Sequence, residues 1–289
     1  MSLATAGADL SSGAAKEAAL RDTLSGWRAL LVAYSGGVDS AYLAWAATDV
    51  LGPRALCITA DSPSYPERHR ALALRIARDF SFRHEIITTH EMARPEYRAN
   101  PANRCYYCKH ELYTHLAAMA RARGIAVIAD GNNADDRGDY RPGRQAAREF
   151  GVVSPLDAVG LTKAEIRALS RRAGLPTWDE PASACLSSRI PYFSEVTDEK
   201  LRMIEQAEAV LRDLGFRVCR VRHHGGSDQT HAAIARLEIG RDEMARAIEP
   251  EIADAIDRAL RAIGYQHVSL DLRGYRLGSL NDALRLRPV

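Results

Sequence analysis

Short apolar runs alternate with amphipathic stretches through the first half of the chain. The apolar runs lie at 29–34, 55–60, 84–88 and 125–130. The stretches with helical periodicity between them lie at 41–51, 66–79 and 107–122. Strands that alternate with helices form βαβ units, so the pattern predicts an α/β fold with a doubly wound parallel sheet. Ligands of such folds bind at the carboxyl ends of the strands.

The pattern continues to about residue 190. The apolar run at 151–156 predicts a further strand. A helix is predicted directly after it, because Thr162 and Glu165 have the spacing of a capping box. Gly174 follows the last periodic residue and predicts the end of that helix.

Beyond residue 190 the order of the elements changes. A helical stretch at 196–215 precedes the order strand, strand, helix, strand, with the helix at 242–263. We therefore predict a flexible N-terminus at 1–20, an α/β domain at 21–190 and a smaller C-terminal α+β domain at 191–289.

Charge and composition are those of an ordinary globular protein. The 39 basic and 37 acidic residues leave a formal net charge of +2, which gives no sign of a nucleic-acid-coating surface. The first 20 residues do not have the pattern of a signal peptide, and no apolar run approaches the roughly 20 residues that span a bilayer. We expect a cytoplasmic protein with reduced cysteines.

The stretch SGGVDS, residues 35–40, comes directly after the first apolar run. Gly36 and Gly37 allow backbone N–H groups to turn inward, and the following helix directs its positive end to the same place. Ser35 and Ser40 can donate hydroxyl groups, and Asp39 can hold Mg²⁺ or orient the loop. A plain strand–helix turn explains two glycines alone, but the full pattern favours a phosphate-binding loop. It lacks the Gly-Lys-Ser/Thr ending of a Walker A motif.

The cysteines suggest a metal centre. Cys105 and Cys108 form a C-x-x-C pair at the predicted start of a helix, and Cys185 lies in a later loop. Three thiolates suit a [4Fe–4S] cluster with one iron open, whereas a four-cysteine zinc site would lack a ligand. Cys57 lies in a predicted core strand and Cys219 in a C-terminal strand, and neither receives a role.

The loop SGGVDS resembles the PP-loop of the ATP pyrophosphatase superfamily. This resemblance implies that the loop binds ATP with Mg²⁺, and that cleavage between the α and β phosphates adenylates a substrate oxygen. Two further segments fit the superfamily. ITADSPSYP, which contains Asp61, corresponds to the adenosine loop, and DGNNADDRGDYRPG, which contains Gly131, lies near the adenylate.

Several motifs together resemble the LarE family of ATP-dependent sulfur transferases, over roughly residues 20–285. They are GNNADDRGDYRPG, CYYCK, LTKAEIRAL, GLPTWDEPASACLSSRIPY and LDLRGYRLGSLND. Members build the nickel-pincer nucleotide cofactor. The resemblance implies that a carboxylate of pyridinium-3,5-dicarboxylate mononucleotide is adenylated and converted to a thiocarboxylate, with Asp39 and Cys185 as catalytic residues. It also implies a homo-oligomer formed through the second domain.

Two branches of this family differ in the source of sulfur. One branch sacrifices a single cysteine, and the other holds a [4Fe–4S] cluster on three cysteines. Ala184 stands where the sacrificial cysteine would align, Cys185 follows it, and Cys105 and Cys108 are present. The resemblance therefore implies the cluster branch. Phe193 departs from the family pattern, which has a glycine there.

The resemblance also implies an anion site. Ser188 and Arg189 of the SSRIP segment, together with Arg220 and Arg222, would bind the substrate phosphate. An exposed strand face is the alternative interpretation of Arg220 and Arg222, which share one face of a predicted strand. Glu208 and Glu238 match acidic positions near this site.

Two other functions remain open from the sequence. A PP-loop tRNA thiolase would also combine ATP with a three-cysteine cluster, although the chain shows no RNA-binding module and no lysine-rich stripe. A nucleotide-binding protein without catalysis, with structural zinc on the cysteines, belongs to a different class. We expect the partner to be a small nucleotide substrate. We expect neither a membrane nor a nucleic acid as a partner.

Overall fold

The computed structural model describes residues 3–138, 142–181, 184–225, 232–276 and 278–279, with side chains from Gly13 onward. The chain forms two compact units. Unit 1 comprises residues 1–62, 67–91 and 105–183, and unit 2 comprises 63–66, 92–104 and 184–289. The long segment of unit 2 begins at residue 184, and two earlier segments also belong to this unit.

Unit 1 contains the predicted parallel sheet. Its strands are β1 (Leu30–Ala33), β2 (Ala55–Asp61), β3 (Arg83–Thr88) and β4 (Val127–Ala129), in the order β3-β2-β1-β4. Every pairing is parallel. The helices of its segments are α1 (Leu3–Ser25), α2 (Val38–Leu51), α3 (Glu67–Asp79), α5 (Arg104–Ala122), α6 (Gly143–Glu149), α7 (Pro155–Ala158) and α8 (Lys163–Arg172). The α/β prediction is confirmed.

The run at 151–156 does not form a strand. Val153 makes a single parallel bridge to Ala129, and Pro155 then begins the short helix α7. Proline lacks the N–H group that a ladder needs, and its fixed φ suits the first position of a helix. The predicted capping box is confirmed, since Thr162 accepts from the Glu165 backbone and Glu165 accepts from that of Thr162.

The segment 1–20, which the sequence predicts to be flexible, lies largely within a helix. The helix α1 runs from Leu3 to Ser25, and both Leu20 and Leu24 are fully buried in the core of unit 1. Lys16 Nζ lies 2.7 Å from Glu165 Oε1, so α1 is also tied to α8. The alanine-rich composition that looked featureless is itself a strong helix signal.

Substitution of Leu20 tests whether α1 belongs to the folded core. Leu20→Ala is expected to lower the free energy of unfolding by about 2–5 kcal/mol, because it leaves a cavity in a packed interior. Thr23→Ala is the control on the exposed side of α1, with an expected change within about 0.5 kcal/mol. Urea denaturation of both variants is the measurement. Equal urea midpoints for the two variants would show that Leu20 is not part of the folded core and would support a flexible terminus.

Unit 2 has the β-β-α-β order that the sequence predicts. Its strands β5 (Cys219–His224), β6 (Ile234–Ile239) and β7 (His267–Leu270) form a separate sheet, antiparallel between β5 and β6 and parallel between β6 and β7. The helices of its segments are α4 (Pro95–Arg98), α9 (Asp198–Asp213), α10 (Met244–Ala247) and α11 (Pro250–Ile263). The helix expected at 242–263 is interrupted, because Pro250 starts α11.

Phe193 adopts the conformation that the family's glycine would favour. Its φ of 68° lies in the left-handed region, and its N–H donates to the carbonyl of Asn100 at 2.9 Å. A side chain at this φ costs free energy relative to glycine, so the local turn is kept with some strain. In the part of the chain that the structure describes, no helix combines the length and apolar character needed to cross a membrane.

Candidate active site

The SGGVDS loop joins the carboxyl end of β1 to the start of α2. Gly36 has φ 68°, and Gly37 is the N-cap residue of α2, where no side chain caps the helix in the described structure. Ser40 Oγ lies 3.1 Å from Ser35 Oγ and donates to the carbonyl of Gly37. The glycine turn and the uncapped helix start therefore provide N–H donors for an anion.

Gly36 and Gly131 are positions where only a glycine fits. A Cβ atom on Gly36 would lie 2.7 Å from Ala73 Cβ, and one on Gly131 would lie 2.9 Å from the backbone nitrogen of Ser40. Gly131 follows β4, so the second predicted loop packs directly on the first. This close approach confirms that the structure brings Gly131 to the SGGVDS loop.

Asp130 fixes the loop that begins with Gly131. This buried carboxylate accepts hydrogen bonds from Tyr113 Oη at 2.9 Å and from Ser154 Oγ at 2.7 Å. Asn132 donates to the same group. Burial and the Asp130 charge raise the pKa of Tyr113 well above its usual value, so Tyr113 remains a donor. The loop is thus held by α5 and by the segment after the Val153 bridge.

Lys163 is a site residue that the sequence analysis missed. Its Nζ atom lies 2.5 Å from Asp39 Oδ2, and its backbone N–H donates to Asp135 at 2.8 Å. The other Asp39 oxygen, Oδ1, is buried and has no hydrogen-bond partner among the described residues. Lys163 is the first residue of α8 and lies within the capping box. This position, at the start of a predicted helix, is the sequence signal that could have identified it as a site residue. A second helix start and a cation therefore face the loop.

Asp61 ends β2 at the same edge of the sheet as the SGGVDS loop. Its Oδ2 atom lies 3.8 Å from Arg70 Nη1, and its carbonyl accepts from Thr89 at 3.0 Å. Two residues earlier in β2, the hydroxyl of Thr59 donates to the carbonyl of Tyr34 at 2.8 Å. This bond links β2 to the residue that precedes the SGGVDS loop. Asp61 is partly exposed and can accept a further donor.

The three candidate cluster cysteines belong to two different units of the chain. Cys105 is exposed and Cys108 half-buried in the first turns of α5, within unit 1, whereas Cys185 belongs to unit 2. The described part of the chain contains no group of three or more His, Cys, Asp or Glu side chains placed to hold a metal ion. Cys57 and Cys219 are buried, and burial raises the pKa of the Cys57 thiol to about 12 and that of Cys219 to about 11.

Arg189 has a different environment from the one the sequence suggested. Its guanidinium is 1% exposed and forms a two-point ion pair with Glu208, with Nε–Oε1 at 2.8 Å and Nη2–Oε2 at 3.1 Å. Burial disfavours the Glu208 carboxylate, but the charge and hydrogen bonds of Arg189 outweigh it and lower its pKa to about 2. Arg189 therefore binds protein groups in this structure, and its role at the substrate phosphate stays a prediction.

Arg220 and Arg222 lie on one face of β5, as predicted. Arg222 Nη2 pairs with the fully buried Glu238 at 2.6 Å, and its Nη1 donates to the carbonyl of Ser188 at 2.8 Å. Arg222 Nε is buried and has no hydrogen-bond partner within the described ranges. Burial and the charge of Arg189 lower the pKa of Arg220. The structure thus gathers Ser188, Arg189, Arg220 and Arg222 within unit 2.

No family model matches the chain. An uncharacterized protein of Synechocystis is 44% identical over 88% of this chain and 92% of its own length. An uncharacterized protein of Methanocaldococcus jannaschii is 26% identical over 86% of this chain and 90% of its own length. The pyridinium-3,5-bisthiocarboxylic acid mononucleotide synthase of Lactiplantibacillus plantarum is 32% identical over 94% of this chain and 95% of its own length. The chain therefore belongs to the family of this synthase, the LarE family of PP-loop enzymes.

Proposed function

We propose that the protein is an ATP-dependent sulfur transferase. It adenylates a carboxylate of pyridinium-3,5-dicarboxylate mononucleotide and converts that group to a thiocarboxylate for the nickel-pincer cofactor. The observation that carries the proposal is the SGGVDS loop, with Lys163 paired to Asp39, in a chain related over nearly its whole length to a synthase of the bisthiocarboxylic acid mononucleotide. Carboxylate activation is what that product requires, because carboxylate oxygen is a poor leaving group.

In the first step, additional negative charge develops on the pyrophosphate group of ATP as it leaves. A substrate carboxylate oxygen attacks the α-phosphorus, and pyrophosphate leaves. The start of α2 and the amine of Lys163 offer positive charge to these groups. The unpartnered Asp39 Oδ1 suits Mg²⁺, which prefers carboxylate oxygen and would supply charge neutralisation when bound. Asp39 thus orients Lys163 with one oxygen and keeps the other for the metal ion.

The second step replaces AMP by sulfur at the activated carbonyl carbon. A sulfur nucleophile attacks that carbon, the bond to the adenylate oxygen breaks, and AMP carries away the electron pair. We propose that the sulfur comes through a [4Fe–4S] cluster on Cys105, Cys108 and Cys185, which would supply a replenishable sulfur when bound. The donor set supports it, because none of the three cysteines is in a disulfide and two of them occupy the first turns of one helix.

Anaerobic iron and sulfide analysis tests the source of sulfur. We expect a brown protein with about four irons and four sulfides per chain, and loss of iron in Cys105→Ala, Cys108→Ala and Cys185→Ala. Cys57 and Cys219 are the remaining cysteines, and Cys219→Ala is the control that keeps its iron. Dehydroalanine at position 185 after a single turnover, in a protein without iron, would instead establish a sacrificial cysteine.

We further propose a cytoplasmic homo-oligomer that assembles through unit 2. The support is membership of the LarE family, whose members are expected to associate through the second domain. Light scattering of the purified protein tests the oligomer, and a single monomer peak over a wide concentration range would contradict it.

A further inference from the structure

The backbone on both sides of Cys185 is bound by one buried arginine. Arg189 Nη1 donates to the carbonyl of Ala184 at 2.7 Å and to the carbonyl of Cys185 at 3.0 Å. Ser188 Oγ donates to the same Cys185 carbonyl at 2.8 Å. These contacts hold the peptide groups of Cys185, while its side chain remains partly exposed. The thiol is therefore presented from a fixed backbone.

Glu208 fixes the other edge of the same guanidinium. Its two oxygens accept from Arg189 Nε and Nη2, and Oε1 also accepts from the backbone of Val221 at 3.2 Å. Glu208 lies on α9 and Val221 on β5, so the arginine is oriented by two elements of unit 2. The planar guanidinium can bind a carboxylate on one edge and carbonyl groups on another. A lysine ammonium is a compact single charge and cannot bind the carboxylate and the carbonyl groups on separate edges.

A second set of contacts immobilises the residues after Cys185. The buried Ser187 lies 2.7 Å from Tyr97 Oη, and its carbonyl accepts from Arg104 Nη1 at 3.0 Å. The N–H of Leu186 donates to the carbonyl of Ser64 at 2.8 Å. The segment 184–189 is thus held on both sides without any ligand, which is what a preorganised reacting group requires.

We propose that Arg189, oriented by Glu208, is a positioning residue for sulfur transfer that fixes the location of Cys185. The inference rests on the proposed function, in which Cys185 takes part in the sulfur step. It gives Arg189 no contact with phosphate. When Cys185 is misplaced, the acyl-adenylate still forms, but water attacks its carbonyl carbon in place of sulfur. The bond between that carbon and the adenylate oxygen breaks, AMP leaves, and the carboxylate is regenerated.

Arg189→Lys tests this role because the lysine keeps a charge beside Glu208 but releases the carbonyls of Ala184 and Cys185. We expect AMP formation to change by less than about 3-fold and thiocarboxylate formation to fall by about 10-fold or more, since small misplacements of reacting groups cost up to about 100-fold. The ratio of AMP to thiocarboxylate therefore rises. Arg212→Lys is the matched control: Arg212 also contacts Glu208, at 3.4 Å, but is more exposed.

A second measurement does not depend on the reaction. In metal-free, full-length protein, iodoacetamide alkylation of Cys185 is followed by mass spectrometry, with Cys108 as the internal reference. Arg189→Lys is expected to accelerate alkylation of Cys185 by about 3-fold or more and to leave Cys108 unchanged, because the released segment opens more often. Arg212→Lys is expected to alter neither rate.

Three results would overturn the inference. AMP and thiocarboxylate falling in the same proportion would assign Arg189 to the fold. A raised KM for the nucleotide acid with coupling intact would return Arg189 to phosphate binding. An unchanged Cys185 alkylation rate would show that Arg189 does not position it. A wild-type protein that forms no thiocarboxylate contradicts the proposed function instead, and the alkylation comparison still decides the positioning role.

Discussion

Asp39→Asn is expected to lower the rate of AMP and pyrophosphate formation by about 100-fold or more, while the protein stays folded. Asparagine has nearly the shape of aspartate, but it has no charge to hold Lys163 or Mg²⁺. The change removes the pair at 2.5 Å and the anionic character of the buried, unpartnered Oδ1. Release of pyrophosphate and AMP from ATP, measured with the mononucleotide substrate, gives the rate.

Lys163→Met and Lys16→Gln separate chemistry from support of the same helix. Lys163 faces Asp39, whereas Lys16 holds the start of α8 through Glu165. Lys163→Met is expected to reduce the rate about as strongly as Asp39→Asn, and Lys16→Gln to leave it within about 3-fold. Equal, mild losses in all three variants would show that the pair only supports α8. ADP and phosphate as wild-type products would end the pyrophosphatase assignment.

Cys185→Ala is expected to abolish thiocarboxylate formation, a loss of at least about 1,000-fold, because the sulfur step has no route without this thiol. The SGGVDS loop and Lys163 belong to unit 1 and are untouched, so ATP is still cleaved to AMP and pyrophosphate. Mass spectrometry of the nucleotide products and a pyrophosphate assay measure the two activities separately.

Cys219→Ala is the matched control for the cysteine experiment. Cys219 lies in the same unit but is 2% exposed, and burial raises the pKa of its thiol, so it presents no thiolate. Its removal is expected to leave both products within about 3-fold of wild type. Thiocarboxylate formed by Cys185→Ala at an undiminished rate would remove Cys185 from the sulfur step and leave Cys105 and Cys108 as the candidates.

The sequence was sufficient for features that depend on local pattern. The strand–loop–helix around Gly36 and Gly37, the capping box at Thr162 and the β-β-α-β order of elements along unit 2 all follow from short-range signals. Parallel pairing then brings Gly131 to the SGGVDS loop, because the carboxyl ends of neighbouring strands share one edge.

The features that the sequence did not show depend on partners far away in the chain. Lys163 is 124 residues from Asp39, and Glu208 is 19 residues from Arg189, on another element. The guanidinium of Arg189 can bind a carboxylate or a phosphate with the same two-point geometry. The sequence therefore suggests an anion ligand, and only the structure shows that the guanidinium pairs with the buried carboxylate of Glu208. The alanine-rich composition of the N-terminal segment favours a helix, but the burial of Leu20 and Leu24 depends on distant partners that the local pattern does not show.

Reconstitution of the complete reaction tests the proposed sulfur transfer. Purified protein, reduced and anaerobic, is mixed with MgATP, pyridinium-3,5-dicarboxylate mononucleotide and sulfide, and the products are identified by mass spectrometry. We expect AMP, pyrophosphate and a mononucleotide that gains about 16 Da for each oxygen replaced by sulfur, with no product when ATP is omitted. An unchanged mononucleotide, in a protein that turns the same ATP over with another acceptor, would contradict it.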